Sequence, residues 1–404
     1  MPTAIDVPVP TVSKRRSGPL RVPAALMRSG TSKGLFFCQK DLPASRQDWA
    51  PIILAAMGSP DPYNRQLNGC GGGTSTQSKV AVVGICSEPD VADIDYTFIQ
   101  VPVNKAVLDF SGNCGNMAAG CGPFAVAEGL VKLKGSQTRD AFTVRIRNTN
   151  TGTIINSTFA VNDGYPAEDG EMVISGVAGA GAPIRLDFVN PGGAMTGKLL
   201  PTGRAVDIVT VEATDDHARL DVPVTLIDSA NPFCFVHASS LGLQGNESTS
   251  DLIAMTNLIQ DIRAAASIKM GLATDLEAAR QRMSVPKIAI LAEPATYTTL
   301  SGVVIDSNDM DIQVRAFSMG TLHQALQMTC AVGLASACSV PGSIPHSLVA
   351  DRKFAGPLRF AQPSGITSAD HDASVDASGE VIINSGTVYR TARRLMEGNV
   401  LVNL

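Results

Sequence analysis

Ser111-Gly112-Asn113-Cys114-Gly115-Asn116-Met117 stands between an extended run and an apolar helix, and its reading decides the fold. The segment before it, Tyr96 to Phe110 (YTFIQVPVNKAVLDF), is rich in Val, Ile, Phe and Tyr and reads as strand. Met117 to Val131 carries Ala, Phe, Val and Leu at helical spacing, interrupted near its start by Pro123. A cysteine at such a strand-to-helix corner lies beside unpaired backbone N–H groups and the positive end of the helix dipole. That setting lowers a thiol pKa and also holds a carboxylate. The loop is therefore expected to bind an acid and to exchange a proton beside it.

A second copy of this pattern occurs later. Ile312 to Phe317 reads as strand, Ser318-Met319-Gly320-Thr321 as a corner, and Leu322 to Ala337 as a helix. A spacing of about 200 residues is too long for a solenoid repeat, so it points to two similar domains. Each would hold a buried central helix with its N-terminus directed outward. If the two tips face one cleft, they clamp an anion from both sides.

The rest of the chain fits that division. Leu20–Met27 and Leu35–Cys38 read as strands around the turn Arg28–Gly34, with a helix over Arg46–Met57 and a strand over Val80–Cys86. Strands dominate Phe142–Val189, and a composition break at Pro191-Gly192-Gly193 marks the junction. Beyond it, strands are expected at Val206–Thr210, Val222–Ile227 and Ile288–Leu291, and helices near Leu252–Met270 and Leu276–Met283. The expected organisation is a flexible tail at 1–19, domains at 20–193 and 194–404, and a last strand able to return to the first domain.

Lys79 closes the Gly-, Ser- and Thr-rich loop 68–79, which includes Ser75 and Ser78, and precedes an apolar strand. Partial desolvation there would lower its pKa and make it usable as a base; the alternative is an ordinary surface lysine. The loop lacks the Gly-Lys-Ser/Thr ending that phosphate binding requires. Cys114 is a candidate proton carrier, against the alternative of a buried inert thiol. Ser111, Asn113 and Ser318 would orient carboxylates, and backbone N–H groups near Gly115–Asn116 and Gly320–Thr321 would hold developing negative charge. His323, in the first turn of the second central helix, would donate a neutral hydrogen bond, or serve only in capping or packing. Arg28, Thr31, Ser32 and Lys33 form a turn that could fork onto a second carboxylate. Gly30–Gly34 formally matches the GxSxG hydrolase elbow, but here the turn joins two strands.

Composition narrows the classes. The 404 residues exceed the comfortable size of one core. A net charge of −5 and only 5% aromatic content argue against a nucleic-acid partner. No apolar run approaches the ~18 residues that span a bilayer. Lys14-Arg15-Arg16 is followed by no apolar stretch, so no signal peptide is read and the cytoplasm is expected. Eight scattered cysteines without a CxxC pair, and five histidines, give no zinc framework.

At Met27–Gly34, Gly71–Lys79, Ser111–Asn116, Thr196–Gly203, Val285-Pro286-Lys287, Ser318-Met319-Gly320 with His323, and Pro363-Ser364-Gly365, the sequence resembles the PrpF family of unsaturated-acid isomerases. The resemblance runs from about Arg21 to the C-terminus. It implies an α+β, diaminopimelate epimerase-like fold: two similar domains, each a β-barrel-like sheet wrapped around a central helix, with the site between them. It implies isomerisation of methylaconitate-, methylitaconate-, aconitate- or oxalomesaconate-type acids without cofactor or metal. It also implies Lys79 as leading proton-transfer group, Cys114 beside the substrate, and Lys287 and Met319 among the binding residues. The partners expected are the acid and, as one option, a second copy of the chain. Two departures stand out. Ser29 replaces a glycine usual in the family, and the second corner carries no cysteine, with Cys330 expected several turns into the helix. A symmetric two-thiol mechanism is therefore not expected.

Overall fold

The computed structural model describes residues 4–6, 18–133, 141–350 and 356–404. It divides into two compact units, Met1–Leu186 with Tyr389–Leu404, and Asp187–Val388. Ala4–Asp6 forms a short strand, β1, so the segment expected as a flexible tail contributes a strand. The Lys14-Arg15-Arg16 run lies outside the described residues.

In the first unit, β2 (Leu20–Ser29) and β3 (Ser32–Cys38) form an antiparallel hairpin. The turn expected over Arg28–Gly34 shrinks to Gly30 and Thr31, because Gly30 takes a φ of 53° and reverses the chain at once. A 3-10 turn at Arg46–Asp48 leads into α1 (Trp49–Met57), which ends at Gly58 in the left-handed region. Next come β4 (Lys79–Ile85), parallel to β3, and β5 (Ile94–Gln100), antiparallel to β4. The extended run expected from Tyr96 to Phe110 breaks after Gln100 and resumes as β6 (Val107–Asp109), which pairs with β1. Then α2 (Gly115–Ala127) begins, two residues before its expected start. It is followed by β7 (Ala141–Asn148), parallel to β5, and β8 (Ile154–Asn162), antiparallel to β7. A short β9 (Tyr165–Pro166) and β10 (Ile184–Val189) lead on to the second unit.

Residues of α2 are buried all round from Gly115 to Val126, and the helix touches β2, β3, β4, β5, β7, β8 and β9. A helix with no polar face must be covered on every side, and the strands do that. On the other face of the sheet, Val80, Val82 and Ile99 join Ile53 and Met57 of α1 in one apolar cluster. The pleat alternates sides, so Lys79 at the head of β4 and Gln100 at the end of β5 fall on the face that meets α2.

The second unit repeats this order. After β11 (Asp207–Val211), β12 (Leu220–Ser229) and β13 (Asn231–His237) form the hairpin. The expected helix over Leu252–Met270 is two helices, α3 (Thr249–Ala254) and α4 (Thr256–Lys269), with α3 opened by a Ser248–Asp251 capping box. Beyond α5 (Leu276–Gln281), β14 (Lys287–Ala292) runs parallel to β13. A small ladder of β15 (Tyr297–Thr298) and β16 (Val304–Ile305) precedes β17 (Ile312–Ser318), antiparallel to β14. Then follow β18 (Thr321–Leu322), the buried α6 (Met328–Cys338) and α7 (Ile344–Val349). After them β19 (Leu358–Gln362) lies parallel to β17, and β20 (Gly365–Val375) antiparallel to β19. Finally β21 (Val381–Arg390) leads to β22 (Ala392–Val402), which belongs to the first unit and pairs along β2 from Leu20 to Ser29.

One expectation fails here. Ser318–Thr321 does not open a helix. Met319 and Gly320, with φ of 53° and 77°, make a two-residue turn that folds Thr321 back onto Ser318. The helix starts only at Met328, so His323 precedes it rather than sitting in its first turn.

Arg263 of α4 shows how the second unit closes its helical layer. Its buried guanidinium donates to the carbonyl oxygens of Ala279 (2.8 Å), Arg282 (3.4 Å) and Val285 (3.4 Å). Arg263→Met should strand those carbonyls and destabilise the chain by about 3 kcal/mol, read as a lower urea midpoint. A midpoint within error of the wild type would show that the guanidinium is dispensable.

Candidate active site

The first unit gathers its polar candidates around the head of β4. Lys79 is only 7% exposed. Its Nζ donates to Gln100 Oε1 at 2.6 Å and lies 5.1 Å from the centre of the Phe98 ring. Burial pushes this amine below the ordinary lysine range, opposed by the charges of Cys114 and Asp109. A lysine so placed loses its proton more readily than a surface lysine.

The preceding loop is held from inside. Gln66 donates to Ser59 Oγ (2.9 Å) and Ser78 Oγ (2.7 Å) and accepts from the Gly73 N–H (3.0 Å). Ser78 is fully buried, and its hydroxyl donates to the Val101 carbonyl. Ser75 is half-buried and contributes its carbonyl to Gln100.

At the corner, the Ser111 N–H and Oγ donate to Asp109 Oδ1, at 2.8 and 2.5 Å. Cys114 occupies the N-cap position of α2, half-buried, and makes no side-chain cap hydrogen bond. Its carbonyl accepts from Tyr96 Oη and from the Ala118 N–H. Asn113 Oδ1 accepts from Asn148, and Gly115 begins the helix. Asn116 links the corner to the hairpin tip: its amide donates to Thr31 Oγ1 (3.1 Å), while its Oδ1 accepts from the Thr31 N–H (3.4 Å) and from Arg390 Nε (3.3 Å). Ser29 Oγ donates to the Asn116 carbonyl, so this serine fastens the helix start.

Among the hairpin residues, Ser32 Oγ is buried without a hydrogen-bond partner among the described residues. The Lys33 N–H donates to the Thr76 carbonyl and ties the hairpin to the lysine loop. Arg28 is half-buried, and its Nη1 donates to the Gly30 (3.2 Å) and Thr391 (2.8 Å) carbonyls. The Thr391 carbonyl also accepts from the Gly30 N–H, so the hairpin tip is tied to the chain beside β22.

Within the second unit, Lys287 heads β14 as Lys79 heads β4, buried, with Nζ 5.8 Å from the Phe233 ring centre. Lys287 enters one residue before the Ile288–Phe317 pair, and Ser318 leaves one residue after it. Thr321 Oγ1 donates to the Ser318 carbonyl. His323 is buried, and its Nδ1 faces the backbone of Ala325. Cys330 is the third residue of α6, not several turns in, and burial pushes its thiol well up, which Lys287 only partly offsets. The helix cap at this corner is Gln327, where the first unit has Cys114.

Sequence reasoning missed Gln100, Asp109 and Gln66. The available signal was polarity ending an apolar run: Phe98-Ile99-Gln100 and Leu108-Asp109. Among the described residues, no cluster of His, Cys, Asp and Glu could hold a metal, and no helix is long and apolar enough to cross a membrane.

The sequence profile of the PrpF protein family matches residues 19–403. This chain belongs to the PrpF family. Its relatives include 3-methylitaconate isomerase of Eubacterium barkeri, 38% identical over 96% of this chain and 98% of that protein. A 2-methyl-aconitate isomerase of Shewanella oneidensis is 36% identical over 95% and 97%. A (4E)-oxalomesaconate Delta-isomerase of Novosphingobium is 37% identical over 94% and 97%. The crystal structure of methylitaconate-delta-isomerase superposes with a TM-score of 0.74 at 38% identity, covering 96% of this chain and 97% of that one. A hydroxyproline epimerase from Agrobacterium vitis, 10% identical with a TM-score of 0.54 over 97% and 95%, shares the fold alone. The PrpF chain described here is thus an isomerase with the α+β, epimerase-like fold of two similar units, each with strands around a central helix.

Proposed function

We propose that this PrpF-family isomerase shifts or rotates the double bond of a small unsaturated di- or tricarboxylic acid by removing and returning a proton. The substrate class is that of aconitate, methylaconitate or an alkyl-itaconate, in line with the substrates named for its relatives. The observation that carries the reading is the buried amine of Lys79, held by Gln100 and lowered in basicity by burial, beside the head of α2.

Lys79 takes the proton from carbon next to a carboxylate. The pair of electrons left behind spreads over the allylic system and that carboxylate, and the ammonium returns a proton at the far end. Backbone N–H groups at the start of α2, near Gly115 and Asn116, carry partial positive charge and suit the developing negative charge. Cys114, the cap residue, is the second group able to carry a proton there. Thr31 and Ser32 supply hydroxyls for carboxylate oxygens, while the Ser111 hydroxyl stays on Asp109. In the second unit the Lys287 amine, at the head of β14, and the Ser318 hydroxyl, at the hairpin turn, are groups suited to an anion, without a helix start at that turn. Acid–base chemistry of this kind calls for no cofactor.

A second reading is keto–enol tautomerisation of an oxalomesaconate-like acid, which would use the same proton shuttle. Incubating a panel of unsaturated and keto acids in deuterated water, with proton NMR, separates the two. We expect one alkene acid to give its isomer with solvent deuterium at the allylic carbon. Exchange confined to a keto acid would favour the tautomerase, and tight binding with neither isomer nor exchange would sink both.

A further inference from the structure

We infer that Gln100 is the positioning residue for Lys79, holding its amine in line while giving it no paired negative charge. The side chain is buried at the end of β5. Its Nε2 donates to the carbonyl oxygens of Ser75 (3.1 Å) and Ser78 (2.9 Å). With both donors engaged, the amide cannot flip without setting its oxygen against two carbonyls. Its Oε1 is therefore directed at Lys79 Nζ, 2.6 Å away. The clamp comes from the loop that ends in Lys79, so loop, amide and amine are one connected piece.

The chemistry of the acceptor matters. An amide oxygen accepts from an amine in either protonation state and carries no formal charge. A carboxylate at the same point would form an ion pair and hold the ammonium. The charged or titratable groups that bear on Lys79 are Cys114 at the head of α2 and Asp109 of β6. From β3, the residue paired with it is Gly34.

The inference rests on the reading of Lys79 as the base, and the test keeps the two apart. The Lys79 titration midpoint is measured by NMR on the full chain with labelled lysine side chains, the resonance assigned with Lys79→Arg. The pH profile of kcat/KM is measured alongside. Gln100→Glu should raise the midpoint by about one to three pH units, as an opposite charge in contact does, and carry the acidic limb of the profile with it. Gln100→Met should move the midpoint the other way, since a lost acceptor disfavours the charged donor. Opposite shifts from two folded variants are not what a packing role would give. An unchanged midpoint in both variants overturns the inference. Should Gln100→Glu fail to fold, Gln100→Met alone decides it by the same criterion. If the midpoint moves and the acidic limb does not, Gln100 still sets the amine, and the assignment of Lys79 as base is what falls.

Discussion

Lys79→Ala is expected to lower kcat by on the order of 10²–10⁴, the usual contribution of a positioned proton-transfer group. Because the amine is buried rather than reaching into solvent, an outside buffer base has little access to substitute for it. The fold should survive, since the side chain makes one hydrogen bond, to Gln100, and one ring contact, to Phe98. The wild-type profile provides the companion measurement. Proton removal needs the neutral amine, so kcat/KM should climb as pH rises and level off above the Lys79 pKa. Burial lowers that pKa, so the midpoint of the climb should lie below the ordinary lysine range. Near-normal turnover in a folded Lys79→Ala variant would remove the lysine from the mechanism.

Gly34→Ala is expected to be nearly as damaging by a different route. Gly34 pairs with Lys79 in the parallel β3–β4 ladder. A Cβ at Gly34 would lie 2.2 Å from the Lys79 carbonyl oxygen and 2.9 Å from Met117 Cε. The first neighbour is backbone and cannot rotate away, so the ladder must open where the amine is positioned. Overpacking of this kind typically destabilises by about 1–3 kcal/mol, and this contact belongs at the upper end. We expect a lowered urea midpoint together with a kcat loss of about tenfold or more, as misplacement of a catalytic group produces. A variant with wild-type stability and turnover would show that β3 and β4 do not approach this closely.

The corners of the molecule were legible in its residues, and their partners were not. Val-, Ile- and Phe-rich runs ending at Gly and Ser announced β4, β5 and α2, because hydrophobic period and turn chemistry are local properties. Lys79 and Cys114 stood out for the same reason, each marking the border between a glycine-rich loop and an apolar element. Ser318–Thr321 misled, since a Ser/Gly corner before an apolar stretch suits a helix start and a tight hairpin equally well. Met319 and Gly320 chose the hairpin by adopting positive φ. The backbone carbonyls that Arg28 and Ser78 bond, at Thr391 and Val101, lie far along the chain and left no local sign in the sequence.

From the order of residues alone come the main strand runs, the strand–corner–helix unit of the first half and the lysine and cysteine beside that corner, all set by short-range pattern, whereas the α+β class came from the resemblance to a family. Tertiary structure alone decided that Gln100 meets Lys79, that Asp109 takes the Ser111 hydroxyl, and that Asn116 ties Thr31 to the head of α2. Such partners lie on different strands or loops, and which of them meet depends on ladder register and pleat, which the packed sheet determines and no single segment encodes.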